Sequence, residues 1–324
     1  MKIPITMQML VDNYLAERRR LGFQLRKMGN DLASFARYID NLGYREPLTL
    51  ELMADWAKQD KWHKEDPATW SRRIQALRPF TRYLQQFEPR TEIPDESIFG
   101  KVQEKGTPHI YHEQEIIDLL AAAKNLGPSG DLRAATYETL FGLIASAGLR
   151  VSEAVHLLDS DVDLKLGMLT VRQTKFAKSR QLPLHSSTVE ALMRYRQLRN
   201  CYIAVTPETL FFVATRGKLL GQCLGLRSVH RVFESLRDQL GWRNRGTYDG
   251  PRIHDLRHTF AVRRVMLWHE QGTDVDQSML ALSTYMGHVK VSNTYWYLTA
   301  VPELMAVAAA KFERFVQTQE VKHA

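Results

Sequence analysis

Apolar residues recur at three- and four-residue spacing along nearly the whole chain, and only two short runs alternate. Periods near 3.6 and 2 mark helix and strand respectively, so the fold is expected to be mainly α with one small β element. The helical pattern runs through Met7, Leu10, Val11, Tyr14 and Leu15, then through Leu32, Phe35, Ala36, Ile39 and Leu42 up to a stop at Gly43. Thr49 opens a third helix with Leu52, Met53 and Trp56 inward. Asp66-Pro67 opens a fourth, carrying Trp70, Ile74, Leu77, Phe80, Tyr83 and Leu84, with proline in the first turn where it is tolerated. Nothing before residue 90 reads as a strand, so residues 1–90 are expected to form a helical bundle.

Residues 91–109 hold Pro94, Gly100, Gly106 and Pro108 with little periodicity, as an interdomain linker would. Residues 110–324 then form a second domain, with helices expected over 113–125, 131–147, 186–200, 228–240, 257–270 and 276–286, and an amphipathic one over 302–316. Within it, Met168-Leu-Thr-Val-Arg172 and Arg180-Gln-Leu-Pro-Leu184 alternate on either side of a turn that carries Lys175 and Lys178. That reads as a β-hairpin. The fold class is an N-terminal helical bundle plus an α+β domain.

Length and composition bound the function. The 324 residues suffice for two cores, and 44% hydrophobic with 25% charged residues is ordinary globular composition. No apolar run is long enough to cross a bilayer, and Met1-Lys-Ile-Pro-Ile lacks a secretory apolar segment, so a cytoplasmic protein without a membrane partner is expected. Cys201 and Cys223 fit no metal-ligand spacing and are expected to be reduced core thiols. The net charge is +8: residues 1–90 carry 16 Lys and Arg against 11 Asp and Glu, and the remainder 28 against 25. The excess gathers at Arg18, Arg19, Arg20, Arg26 and Lys27, and a polyanion is its natural partner. With Arg72 and Arg73 these are the candidate DNA-binding residues.

The chemistry sits further along. Arg150 closes the apolar stretch Leu140–Leu149 and, if partly buried, needs a partner, either Glu153 or Asp159 or a phosphate shared with a second arginine. His254 and Arg257, three residues apart, share a helix face, whereas His258 is expected to point away from it as a structural residue. His288 follows Gly287, and Tyr295-Trp-Tyr297 offers two phenols on opposite sides of a helix. Two guanidiniums, two imidazoles and a tyrosine suit a site that holds a phosphodiester and attacks it with a phenolic oxygen, with no metal and no cofactor. An unassisted phenol, with a pKa of about 10, attacks poorly unless cations favour the phenolate. Either Lys175 or Lys178 could protonate a leaving oxygen.

Ala147-Gly-Leu-Arg-Val-Ser-Glu153, His254-Asp-Leu-Arg-His258 and Met286-Gly-His288 followed by Tyr297 resemble the signature of the tyrosine recombinases, the phage-integrase family. The resemblance covers residues 110 to 316 and implies a tyrosine-recombinase catalytic domain over 110–324. It implies that Arg150, His254, Arg257 and His288 are catalytic, and that Tyr297, at the family's nine-residue spacing from the histidine, is the nucleophile rather than Tyr295. Lys175 matches the first lysine of the family's hairpin motif, although Thr174 and Phe176 replace its glycines. The stretch Trp268–Asp276 resembles an insertion, with His269 at the surface.

The resemblance further implies double-stranded DNA as substrate and strand cleavage and rejoining through a 3′-phosphotyrosine. The partners implied are copies of the chain in a tetramer on DNA, with accessory recombinases as further ones. The integrase or transposase of a mobile element is the expected role, since no arm-binding segment is evident ahead of residue 6. The alternatives are a Xer-like dimer resolvase, a type IB topoisomerase that relaxes DNA without pairing sites, and a DNA-binding accessory protein without catalysis.

Overall fold

The computed structural model describes residues 6–59, 66–100, 106–128, 130–172, 179–288 and 290–300, with Asp276 and residues 297–300 described by backbone alone. The chain divides into two compact units, Met1–Lys105 and Gly106–Ala324. Among the described residues no helix is long and apolar enough to cross a membrane.

The first unit is built from α1 (Met7–Arg20), α2 (Arg26–Asn41), α3 (Leu50–Lys58) and α4 (Pro67–Leu84). Their inward stripes meet in one core around Val11, Tyr14, Leu32, Phe35, Trp56, Leu77 and Phe80. Three of the four helix starts, those of α1, α3 and α4, are capped by a side chain. Thr6 and Thr49 accept from Met9 and Leu52 amides, and Asp66 accepts from Ala68. The Asp40 carboxylate, from the far end of α2, accepts from the Met7 and Gln8 amides at 2.9 and 3.0 Å. Helix α2 begins at Arg26, six residues before its first expected apolar contact, after Leu25 turns through the left-handed region (φ 45°).

Arg18, Arg19 and Arg20 end α1, where a helix C-terminus favours cations, and Arg26 and Lys27 begin α2 across the same corner. Arg72 lies back along α4, donating to Ala68 O and Thr69 Oγ1. Arg73 stacks 4.3 Å over the Trp56 ring and donates to Trp56 O, so it ties α4 to α3. Much of the stretch expected as a linker belongs to this unit: Thr91 and Pro94 are buried, Ile98 and Phe99 pack on the core, and Ser71 donates to Gly100 O. Scattered apolar residues without periodicity can still cover a core.

The second unit contains α5 (Glu113–Lys124), α6 (Leu132–Ala147), α7 (Val151–Val155), α8 (Ser186–Asn200), α9 (Leu226–Leu240), α10 (Ile253–Glu270), α11 (Val275–Met286) and α12 (Ser292–Ala300). Between α7 and α8 lies an antiparallel sheet in the order β1 (Val162–Asp163), β2 (Met168–Val171) and β3 (Arg180–Pro183). The expected hairpin is present, with buried Leu169 opposite buried Leu182. Strand β1 adds a third member too short to show alternation. Helix α6 is apolar around its circumference and forms the spine of the larger core, with Leu140, Phe141, Leu143 and Ile144 all buried.

Three expectations are corrected here. Helix α10 starts at Ile253, not 257, because Asp255 reaches back to the Arg252 amide at 2.9 Å and closes a capping box. Trp268–Glu270 lie in α10, as the helix expected over 257–270 has them, but His269 in its last turn is half-buried rather than at the surface. Both cysteines are free but exposed, not core thiols, because Cys201 caps the end of α8 and Cys223 lies on the outer side of an isolated bridge with Val213.

Gly148 ends α6 in the left-handed region (φ 62°), and a Cβ there would lie 2.5 Å from the Phe260 ring. Gly148→Ala is therefore expected to lose about 2–3 kcal/mol, combining a disfavoured φ with a rigid clash. Equilibrium urea unfolding measures it, and a loss under 0.5 kcal/mol would show that Phe260 moves aside freely.

Candidate active site

Sequence-distant residues meet where α6, α7, α10 and α11 end or begin. Arg150 is the N-cap of α7, His254 and Arg257 lie on the first turns of α10, and His288 follows the last turn of α11. A helix C-terminus leaves carbonyls without intrahelical donors, and α11 ends in a tight turn at Gly287 (φ 66°). Three arginines from three elements take those carbonyls in succession. Arg180 Nε donates to Tyr285 O at 2.7 Å, Arg257 Nη2 to Met286 O at 2.6 Å, and Arg150 Nη2 to Gly287 O at 3.1 Å.

Arg257 is 1% exposed, and its other terminal nitrogen donates to Gly148 O, the last carbonyl of α6. One buried guanidinium thus joins the C-terminal ends of two helices, whose partial negative charge suits it. Its Nη2 also lies 3.1 Å from His288 Nε2, while His288 Nδ1 lies 2.7 Å from the hydroxyl of buried Thr294 in α12.

Arg150 does have the local partner anticipated for it. Its Nη1 donates to Glu153 at 2.6 Å, and the same carboxylate reaches back to its amide at 3.0 Å. Arg180 grips Glu153 from the opposite side at 2.9 and 3.1 Å. Burial opposes ionisation of Glu153, yet the Arg180 hydrogen bond and charge, with the Arg150 amide and charge, outweigh it and hold the carboxyl at about 2. The guanidinium of Arg150 keeps a third of its side-chain surface open, so one edge remains for an anion.

His254 stands in the first turn of α10 with surface open to solvent. Crowding by the protein and then the charges of Arg257 and Arg252 push its pKa down to about 4, so it is neutral near pH 7. An anion arriving among these cations would ease that repulsion. His258 does not point away, as expected, but packs edge-on against the His254 ring at 4.7 Å and against Trp296 at 5.6 Å. Residues four apart lie on one helix face, so it buttresses His254.

Tyr297 lies on α12, nine residues beyond His288, and Tyr295 on the same helix is exposed. Lys175 and Lys178 lie outside the described residues. Sequence reasoning missed Arg180 and Thr294. Spacing could not link Arg180 to Tyr285, 105 residues away, whereas Thr294, six residues beyond His288 and three before Tyr297, lay within reach of a local reading.

The depressed pKa of Glu153 sets a pH dependence. A folded-state value below the ordinary 4.5 means that stability from the ionised group is full above pH 4.5 and is lost as pH falls toward 2. Glu153→Gln is expected to lose up to about 3 kcal/mol at pH 7, with the gap to the unsubstituted protein narrowing below pH 4.5. Urea unfolding across that range measures it, and a gap independent of pH would contradict the assigned linkage.

The model of the Phage integrase family matches residues 110–303, which include every site residue above. "Putative integrase/recombinase y4rB" of Sinorhizobium fredii is 36% identical over 312 residues, 95% of this chain and 98% of the relative. The tyrosine recombinase XerC of Pelotomaculum thermopropionicum is 29% identical over 236 residues, 71% of this chain and 70% of the relative. Among solved structures, the XerH site-specific recombinase has the same fold with a TM-score of 0.61 and 18% identity, over 94% of this chain and 84% of that one, and so has the Tn1549 transposon integrase in complex with transposon right end DNA. The integrase superposes at 0.68 with 16% identity, over 96% of this chain and all of that one. The chain belongs to the phage integrase family of tyrosine recombinases.

Proposed function

We propose that this site-specific recombinase breaks and rejoins DNA through Tyr297, and that it serves a mobile element as integrase or transposase. The observation that carries the chemistry is the convergence of Arg150, Arg257 and His288 on the Gly287 turn, one short loop before the helix that bears Tyr297. In this reading the arginines grip the non-bridging oxygens of one phosphate and stabilise charge in the pentacoordinate transition state. The phenolic oxygen of Tyr297 forms a bond to phosphorus as the bond to the 5′-oxygen breaks. Neutral His254 is suited to take the phenolic proton, and Lys175 supplies one to the departing 5′-oxygen. Attack by the 5′-hydroxyl of a partner strand reverses the step. The phosphotyrosine conserves the bond energy, so the exchange needs no nucleotide cofactor.

The integrase role is supported by the relative named as a putative integrase/recombinase, y4rB, at 36% identity, against 29% and 26% for two XerC relatives. A Xer-like dimer resolvase is the second reading. The first unit would clamp the duplex, with Arg18, Arg19, Arg20, Arg26 and Lys27 contacting phosphates from the exposed α1–α2 corner. Arg72 and Arg73 would act there mainly through packing, as their contacts favour. The working form would be a cytoplasmic tetramer on DNA, whose accessory recombinases would be relatives of the same chemistry.

Trapping the denaturation-resistant adduct on fragmented host DNA, then sequencing what is attached, tests the role and names the site. Tyr297→Phe should abolish the adduct and leave DNA binding intact, whereas Tyr295→Phe should retain both. Arg257→Lys should slow adduct formation by about 10²–10³, as loss of a transition-state donor does. An adduct that survives in Tyr297→Phe and disappears in Tyr295→Phe would move the nucleophile. Relaxation of supercoiled DNA without strand exchange would instead favour the topoisomerase reading.

A further inference from the structure

His288 is held from both sides. Arg257 Nη2 lies 3.1 Å from Nε2, and the Thr294 hydroxyl lies 2.7 Å from Nδ1. A guanidinium nitrogen can only donate, so Nε2 accepts and the ring proton sits on Nδ1, donated to Thr294 Oγ1. This tautomer has no hydrogen on Nε2 to offer an anion. When a phosphate takes the Arg257 guanidinium, the neighbour of Nε2 changes from a donor to an acceptor oxygen. The ring then needs its proton on the other nitrogen.

Which tautomer a histidine held on both nitrogens can adopt depends on the partner at its far nitrogen. A carbonyl or carboxylate there would fix the proton on Nδ1, because it only accepts. A hydroxyl both donates and accepts, so rotation about one bond serves either state. Thr294 is fully buried in α12, so its hydroxyl is held at the far nitrogen of the ring. We propose that Thr294 is a positioning residue that lets His288 pass from accepting a hydrogen bond from Arg257 in free protein to donating one to the scissile phosphate. One proton leaves Nδ1 to solvent and one is taken up at Nε2, so the ring stays neutral and the protons balance. Because Thr294 stands three residues before Tyr297 on α12, the same hydrogen bond ties His288 to the nucleophile's helix. The inference rests on the reading that His288 contacts the phosphate.

The test uses the full chain as wild type, Thr294→Val and Thr294→Ser, with His288→Gln to assign the signal. In ¹⁵N-histidine spectra of the free wild-type protein, the His288 proton is expected on Nδ1, with Nε2 unprotonated. Thr294→Val, which keeps shape and loses the hydroxyl, should lose that single-tautomer pattern. It should also form adduct about tenfold more slowly at saturating DNA, the fragment being the one recovered by adduct trapping, with unchanged apparent Kd and unfolding midpoint. Thr294→Ser should restore both the spectrum and the rate to within about twofold. A free protein with the proton on Nε2, or a Thr294→Val protein with wild-type spectrum and rate, overturns the inference. Absence of any adduct in the wild-type chain overturns the role of Tyr297 instead, and leaves the tautomer assignment readable from the spectra.

Discussion

The candidate site depends on one kind of contact, a guanidinium donating to the last carbonyls of a helix. Helix α11 ends in three successive carbonyls that α-helical geometry leaves without donors, and Arg180, Arg257 and Arg150 take them one each. The arrangement serves two ends. It fixes the Gly287 turn, and hence the backbone of His288, to three different parts of the unit. It also uses the helix ends to hold positive charge in place without neutralising it with a carboxylate at each position.

Glu153 is the counterweight. Clustered guanidiniums repel one another, and a single buried carboxylate bridges Arg150 and Arg180, offsetting that repulsion from the side away from the open edge of Arg150. Gly287 completes the fit, since a Cβ at that position would lie 2.8 Å from Arg180 Nη1. The guanidiniums of Arg150, Arg180 and Arg257 are thereby gathered around one turn, the cationic arrangement that the proposed phosphate contact calls for. His254 beside it is kept neutral by burial first and then by the charges of Arg257 and Arg252, which leaves it able to exchange a proton rather than merely add to the positive field.

Much of this was legible in the sequence wherever the signal was local. Helices α1, α3, α4, α5, α6 and α8 follow their apolar spacing, and the β2–β3 hairpin follows its alternation. Arg150 with Glu153, and His254 with Arg257, could be paired because both partners lie within one turn. What could not be read depends on backbone chemistry or on distance. The start of α10 is set by Asp255 capping, not by an apolar residue, and α7 is too short for periodicity. Arg180 looked like an ordinary strand residue because its partners are a carboxylate 27 residues before it and a carbonyl 105 residues after it. His258 was misplaced by attention to three-residue spacing where four-residue spacing also shares a face.

Arg257 carries a further implication. Its two terminal nitrogens reach partners 109 residues before it and 29 residues after it, so the pocket cannot assemble from any one segment of the chain. A nascent or partly unfolded copy carries every reactive group and still has no organised phosphate cradle. For a recombinase, which breaks DNA, completion of folding would then act as a safety catch: copies that are truncated or still emerging from the ribosome would lack the assembled site.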